Sequence, residues 1–218
     1  MDTIAYITNE VTPLKLTDQV KKAKALFARL TFTHLPVVEN KNLIGVVSEC
    51  DIQAFEDDKT LGDYTYAFDA FFVFKDTMWL DILEKLAQNE ADIIPVLDID
   101  NHYIGYYELV QILGLFGETP FLSEQGGELV IEKGLKDYSF SEVAQIVESN
   151  NGKLLGAFIS DMSEDLVQIT LKVSNVSLNE VIQTFRRYSY NIVSGNADDA
   201  FLNDLKERSN YLKKYLDI

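Results

Sequence analysis

One stretch of this chain occurs twice, and that repeat limits the fold more than any other feature. Residues 33–52, THLPVVENKNLIGVVSECDI, align with residues 92–112, DIIPVLDIDNHYIGYYELVQI. The offset is 59 from Pro36 to Pro95 and 60 from Gly45 to Gly105, so the second copy carries one extra residue in its polar turn. Each copy reads as strand, tight turn, strand, with Asn40-Lys41-Asn42 and the segment 98–101 as turns. The strands are apolar almost throughout, which suits a sheet covered on both faces.

Helical periodicity precedes each copy. Val20, Ala23, Phe27 and Leu30 are spaced for one helix face, and Trp79, Ile82, Leu83 and Leu86 for another. Thr17-Asp18 and Asp76-Thr77 are the expected N-terminal caps. Extended stretches lead in at 11–16 and 71–75. Short helices are expected from Ser48 to about Ala54 and from Glu108 to Leu115. The unit is therefore strand–helix–strand–strand–helix, present twice.

Composition narrows the partners. A chain of 218 residues with a net charge of −16 has no basic footprint for nucleic acid or an anionic membrane surface. Its single cysteine, Cys50, allows neither an internal disulfide nor a CxxC metal site, and is expected to pack as a small buried hydrophobe. The start lacks a basic segment before an apolar run, and no stretch is long enough to span a bilayer. A reducing cytoplasm is the expected location.

The duplicated pattern, Leu35-Pro36-Val37-Val38, a turn, then Gly45-Val46-Val47-Ser48-x-x-Asp51, resembles a pair of CBS domains over residues 1–117, divided at about 60. The resemblance implies two units packed through their sheets into one regulatory module. Many members of that family bind AMP, ADP, ATP or S-adenosylmethionine between the units and signal to a partner. In them the positions of Ser48 and Asp51 hold phosphate and ribose. Gly45 and Pro36 belong to the same motif, and His34 precedes the Leu-Pro strand where it can line the cleft. The expected ligand-binding residues are thus Gly45, Ser48, Asp51, His34 and Pro36. The same Ser-x-x-Asp spacing is also nearly a capping box, which needs no ligand. The second copy has Glu108 and Gln111 at these places, so at most one such site is expected. Tyr103, Tyr106 and Tyr107 are expected in the core or an interface.

Residues 118–128 read as a linker. A different order follows over 129–197: strand 129–135, helix from Ser139 with Glu142 in a capping box, strands 153–162 and 166–173, helix from Ser177 with Glu180 in a second box, and strand 190–195. This βαββαβ order is the ferredoxin-like pattern and resembles the ACT domain, a small-ligand sensor. The fold class is therefore α/β (α+β), a tandem CBS-domain pair plus an ACT-like domain, with a C-terminal helix over 198–218. In architecture it resembles small bacterial acetoin-utilisation regulatory proteins. The Asp-x-x-Gly loop of amino-acid-binding ACT domains is absent from 134–139.

His34 and His102 lack metal-ligand spacing, and no nucleophile–base set or phosphate loop is present. Glu56-Asp57-Asp58 and Arg186-Arg187 read as solvated faces. The expectation is a non-enzymatic homodimeric regulator, without a required cofactor or metal, that senses an adenine-containing ligand for an unknown protein partner. The alternatives are a ligand-free dimerisation scaffold, or an amino-acid sensor acting through the ACT-like part.

Overall fold

The computed structural model describes residues 3–174 and 177–195. The helix expected over 198–218 lies outside the described residues. The chain divides into two compact units, the first ending at Phe116 and the second beginning at Gly117.

The first unit holds both repeats. Repeat one contains α1 (Val20–Phe27), β1 (His34–Glu39), β2 (Asn42–Ser48) and α2 (Glu49–Ala54). Repeat two contains β3 (Val73–Phe74), α3 (Trp79–Gln88), β4 (Ile93–Leu97), β5 (Tyr103–Glu108) and α4 (Leu109–Gly117). Both hairpins are antiparallel, with His34 opposite Ser48 and Ile93 opposite Glu108. The turns need backbone in the left-handed region, and Asn40 (φ 49°) and Asn101 (φ 63°) supply it at low cost. β4 is buried from end to end, as a strand covered on both faces must be.

The expected leading strands shrink. The stretch 71–75 pairs only through Val73–Phe74, parallel to β4. The stretch 11–16 pairs through Leu14 alone, whose N–H donates to Pro36 O and whose carbonyl accepts from Val38 N. Pro13 has no N–H to extend that ladder, and the Asp18 carboxylate turns the chain by accepting from Lys15 N at 2.9 Å.

The expected caps also move. Gln19 and Met78 are the N-caps of α1 and α3, and neither caps with its side chain. Asp18 and Thr77 bond backwards instead, Thr77 Oγ1 accepting from Phe74 N. The first N–H groups of α1 are met by tertiary carbonyls: Val20 N donates to Lys59 O and Lys21 N to Asp57 O. Sequence spacing cannot register a cap supplied by a segment forty residues away.

The two repeats are joined by a reciprocal crossing. Thr8, on the way into repeat one, pairs with Tyr106 on β5 of repeat two through two hydrogen bonds of 3.0 and 2.9 Å. Asp69, on the way into repeat two, pairs with Val46 on β2 of repeat one through bonds of 2.9 and 2.8 Å. A glycine admits each crossing strand. A Cβ on Gly45 would stand 2.8 Å from Phe68 Cβ, and one on Gly105 (φ +151°) would stand 2.5 Å from Thr8 O. Val46 accordingly packs in the core of repeat two, with Phe71, Ile94 and Tyr107. Leu35, Val37 and Val47 face the helices of their own repeat.

The second unit is built from β6 (Gly127–Gly134), α6 (Phe140–Ser149), β7 (Lys153–Met162), β8 (Leu166–Ser174), α7 (Leu178–Arg187) and β9 (Asn191–Ser194), after a short helix α5 (Pro120–Ser123). Thus the stretch 118–128, expected as a linker, contains a helical turn and the start of β6. The sheet order is β7-β8-β6-β9, every neighbouring pair antiparallel. Alternate residues of β6 and β8 (Leu129, Ile131, Val167, Ile169, Leu171, Val173) turn one face toward α6 and α7. Val143, Ile146 and Val147 answer from α6, and Val181, Ile182 and Phe185 from α7. Ser139 caps α6 by accepting from Glu142 N at 3.5 Å, but the Glu142 carboxylate binds Lys133 Nζ at 2.6 Å rather than closing the box. Ser177, expected as the other capping serine, makes no side-chain cap bond.

The crossing makes a testable demand. Gly105→Ala forces a side chain against the Thr8 carbonyl and should cost about 2–4 kcal/mol in urea unfolding. Gly114→Ala, in α4 with nothing within 4 Å of its Cβ position, should be neutral or stabilise by up to about 1 kcal/mol. Equal midpoints for the two variants would contradict the close approach.

Candidate functional site

The ladder brings His34 and Ser48 face to face, and α2 adds Asp51 one turn later. Ser48 ends β2 in extended backbone and is the N-cap of α2. Its Oγ accepts from Asp51 N at 3.0 Å and donates to Asp51 Oδ2 at 2.7 Å. Glu49 N donates to Thr33 O at 2.8 Å, tying the start of α2 to the residue before β1. The Ser48–Asp51 pair is therefore a closed local hydrogen-bond unit that leaves Asp51 Oδ1 outside it.

His34 is 8% exposed, and its ring meets Phe71 edge-on at 5.4 Å. Its Nδ1 lies 2.8 Å from Thr33 Oγ1. That hydroxyl has one proton and gives it to the Asp92 carboxylate Oδ1 at 2.8 Å, the stronger acceptor. Thr33 Oγ1 then accepts from His34 Nδ1–H, which assigns the tautomer and leaves a lone pair on Nε2. Nε2 stands 3.9 Å from Asp69 Oδ2. Burial lowers the His34 pKa, against the opposing pull of the carboxylates Asp69, Asp92 and Asp51.

Gly45 and Pro36, the other expected site residues, have packing tasks next to this corner. Gly45 receives Phe68 and Asp69, and Pro36 is buried in β1 with its carbonyl bonded to Leu14 N. Cys50, expected to be buried, is exposed, because the short α2 turns Ile52 inward instead. Tyr106 and Tyr107 are core residues, and Tyr106 Oη accepts from Val11 N at 3.3 Å.

The equivalent corner of repeat two differs in chemistry. Ile93, Glu108 and Gln111 stand where His34, Ser48 and Asp51 stand. Burial raises the pKa of Glu108, helped by Glu10 and Asp92. Gln111 Oε1 is buried without a hydrogen-bond partner among the described residues.

Sequence reasoning missed Thr33, Asp69, Phe71 and Asp92. Thr33 and Asp92 were nevertheless marked by the repeat, since both stand three residues before the strand proline. Equivalent residues of two repeats that touch lie where the repeats meet. Among the described residues, Asp98, Asp100 and His102 have ligand atoms within 4.8 Å of one another in the β4–β5 turn. Asp98 Oδ1 is already used there, accepting from Asp100 N and His102 N. No helix among the described residues is long and apolar enough to cross a membrane.

Residues 4–56, which include the whole of repeat one, match the CBS domain family. A relative, inosine-5'-monophosphate dehydrogenase of Methanocaldococcus jannaschii, is 22% identical over 144 residues, which is 66% of this chain and 29% of that protein's length. Among solved structures, a CBS domain pair/ACT domain protein from Thermotoga maritima is 16% identical, with a TM-score of 0.49 over 54% of this chain and 98% of the other. The structure of CBSX2 in complex with AMP is 21% identical, with a TM-score of 0.45 over 53% of this chain and 95% of the other.

His34 predicts a pH dependence. Its folded pKa lies below the unfolded value near 6.5, so the unfolded chain binds more protons on acidification. The contribution is complete above pH 6.5 and is lost as the pH falls from there through the folded pKa. The urea midpoint should fall across that window in the native chain, and less in His34→Asn. Parallel curves for the two proteins would remove His34 as the cause.

Proposed function

We propose that the first unit is the sensing module of a non-enzymatic regulatory protein, and that it binds an adenosine-containing ligand at the corner formed by His34, Ser48 and Asp51. The observation that carries this reading is the cross-strand pairing of His34 with Ser48, with Asp51 held one turn on. Asp51 Oδ1 and His34 Nε2 are two fixed acceptors for ribose hydroxyls or an adenine amino group. The CBS match over residues 4–56 supports the same assignment, and the second corner, with Ile93, Glu108 and Gln111, lacks this set.

The electrostatics favour one member of the ligand class. Asp51, Asp69 and Asp92 surround His34, and Glu49 and Asp51 occupy the first turn of the six-residue α2. Carboxylates there oppose the helix dipole that would otherwise welcome phosphate. A ligand with a cationic tail, S-adenosylmethionine, should therefore bind better than AMP, ADP or ATP. The second unit, read as an ACT-like ferredoxin-fold domain, would support homodimer formation. Its helix start at α6 is occupied by Ser139 and Glu142, which speaks against a ligand carboxylate there.

Calorimetry tests the reading. Asp51→Ala should weaken ligand binding by about ten- to a hundredfold, the value of one or two hydrogen bonds to a charged group. Gln111→Ala should leave binding within about twofold. Ser48→Ala should cost up to about 2 kcal/mol of stability through the lost cap, so it must be compared where both proteins are folded. Absence of binding by S-adenosylmethionine, adenosine and all three nucleotides would reduce Ser48 and Asp51 to a helix cap. Light scattering should give twice the chain mass of 24.7 kDa; the single mass would exclude the homodimer.

A further inference from the structure

A cleft of about 410 Å³ opens between α3 and α4, and neither Ser48 nor Asp51 lines it. Its walls are Leu83, Leu86, Ala87, Leu109 and Leu113. Its volume lies in the range of small-molecule sites. The charged residues that line it are both acids, Glu90 and Asp92, and Thr33 completes the rim. Lys85, in the last turn of α3, does not line it.

Asp92 is held in place by Thr33. Thr33 N and Thr33 Oγ1 both donate to its Oδ1, at 2.9 and 2.8 Å, which fixes the carboxylate. Among the described residues no hydrogen bond reaches its other oxygen. The C-terminal end of the ten-residue α3 lies at the same rim, since Ala87, Glu90 and Ala91 all line the cleft. A helix C-terminus carries partial negative charge. Apolar walls, two carboxylates and a negative helix end select one chemistry: an apolar body carrying a positive charge.

We propose that this cleft is a separate binding site for an organic ammonium ion, with the alkyl or aryl part between α3 and α4 and the ammonium on Asp92 Oδ2 and Glu90. The site does not depend on the adenosine reading, and either can fail alone. Thr33 lines the cleft and also holds His34, so the His34 imidazole is a reporter at its edge.

The test uses simple probes on the full chain. Hexylammonium and phenethylammonium are titrated against hexanol and hexanoate by calorimetry, with the His34 ring followed by NMR. Each ammonium should bind at least tenfold more tightly than hexanol, and hexanoate should not bind. Asp92→Asn keeps the Oδ1 acceptor for Thr33, so the fold should hold while the preference for ammonium over hexanol disappears. Leu83→Gln should weaken ammonium and hexanol alike. The site is overturned by equal affinities for ammonium and hexanol in the native chain, or by no saturable binding at millimolar probe. It is also overturned if Leu83→Gln halves the solution mass while native protein binds no probe, because a second copy would then cover the cleft.

Discussion

The first unit depends on two backbone crossings, Thr8 with Tyr106 and Asp69 with Val46. Each repeat alone is a short hairpin with helices, and its sheet has an edge at β2 or β5. The segment entering the other repeat closes that edge. The exchange satisfies backbone groups that would otherwise be buried unpaired, and it makes each repeat's core incomplete without its neighbour. Val46 shows this directly: it belongs to β2 by sequence and to the core of repeat two by packing.

The same crossings position the candidate site. Asp69 comes to β2 as part of the crossing strand and so faces His34. Phe71 follows two residues later and covers the ring. Thr33 and Asp92 join the repeats through side chains and fix the imidazole from its other nitrogen. The candidate site and the scaffold share residues, so on the proposed reading a ligand at His34 would act on groups that hold the repeats together.

The two repeats share one backbone plan and differ in the side chains at the corner. Gly45 and Gly105 survive in both because a Cβ would strike the crossing chain. Glu108 and Gln111 stand at the positions of Ser48 and Asp51 in the second copy, where no crossing contact depends on the side chain. The second copy has the apolar cleft with acidic residues at its rim. The glycines thus meet a packing requirement, whereas Ser48 and Asp51 are joined to each other in the cap of α2.

The sequence by itself determined the repeat with its hairpins and helices, the Ser48 cap and the βαββαβ order of the second unit, because these follow from local periodicity and turn chemistry. It also marked His34, Ser48 and Asp51, which lie within one hairpin and the helix after it. It did not determine the true caps of α1 and α3, the contraction of the leading strands, or the exposure of Cys50, since each is settled by a segment distant in sequence. The crossing decided which carboxylates lie near His34. Only the tertiary structure could do that, because Asp69 and Asp92 reach the corner through pairings between repeats, which no spacing along one strand or helix encodes.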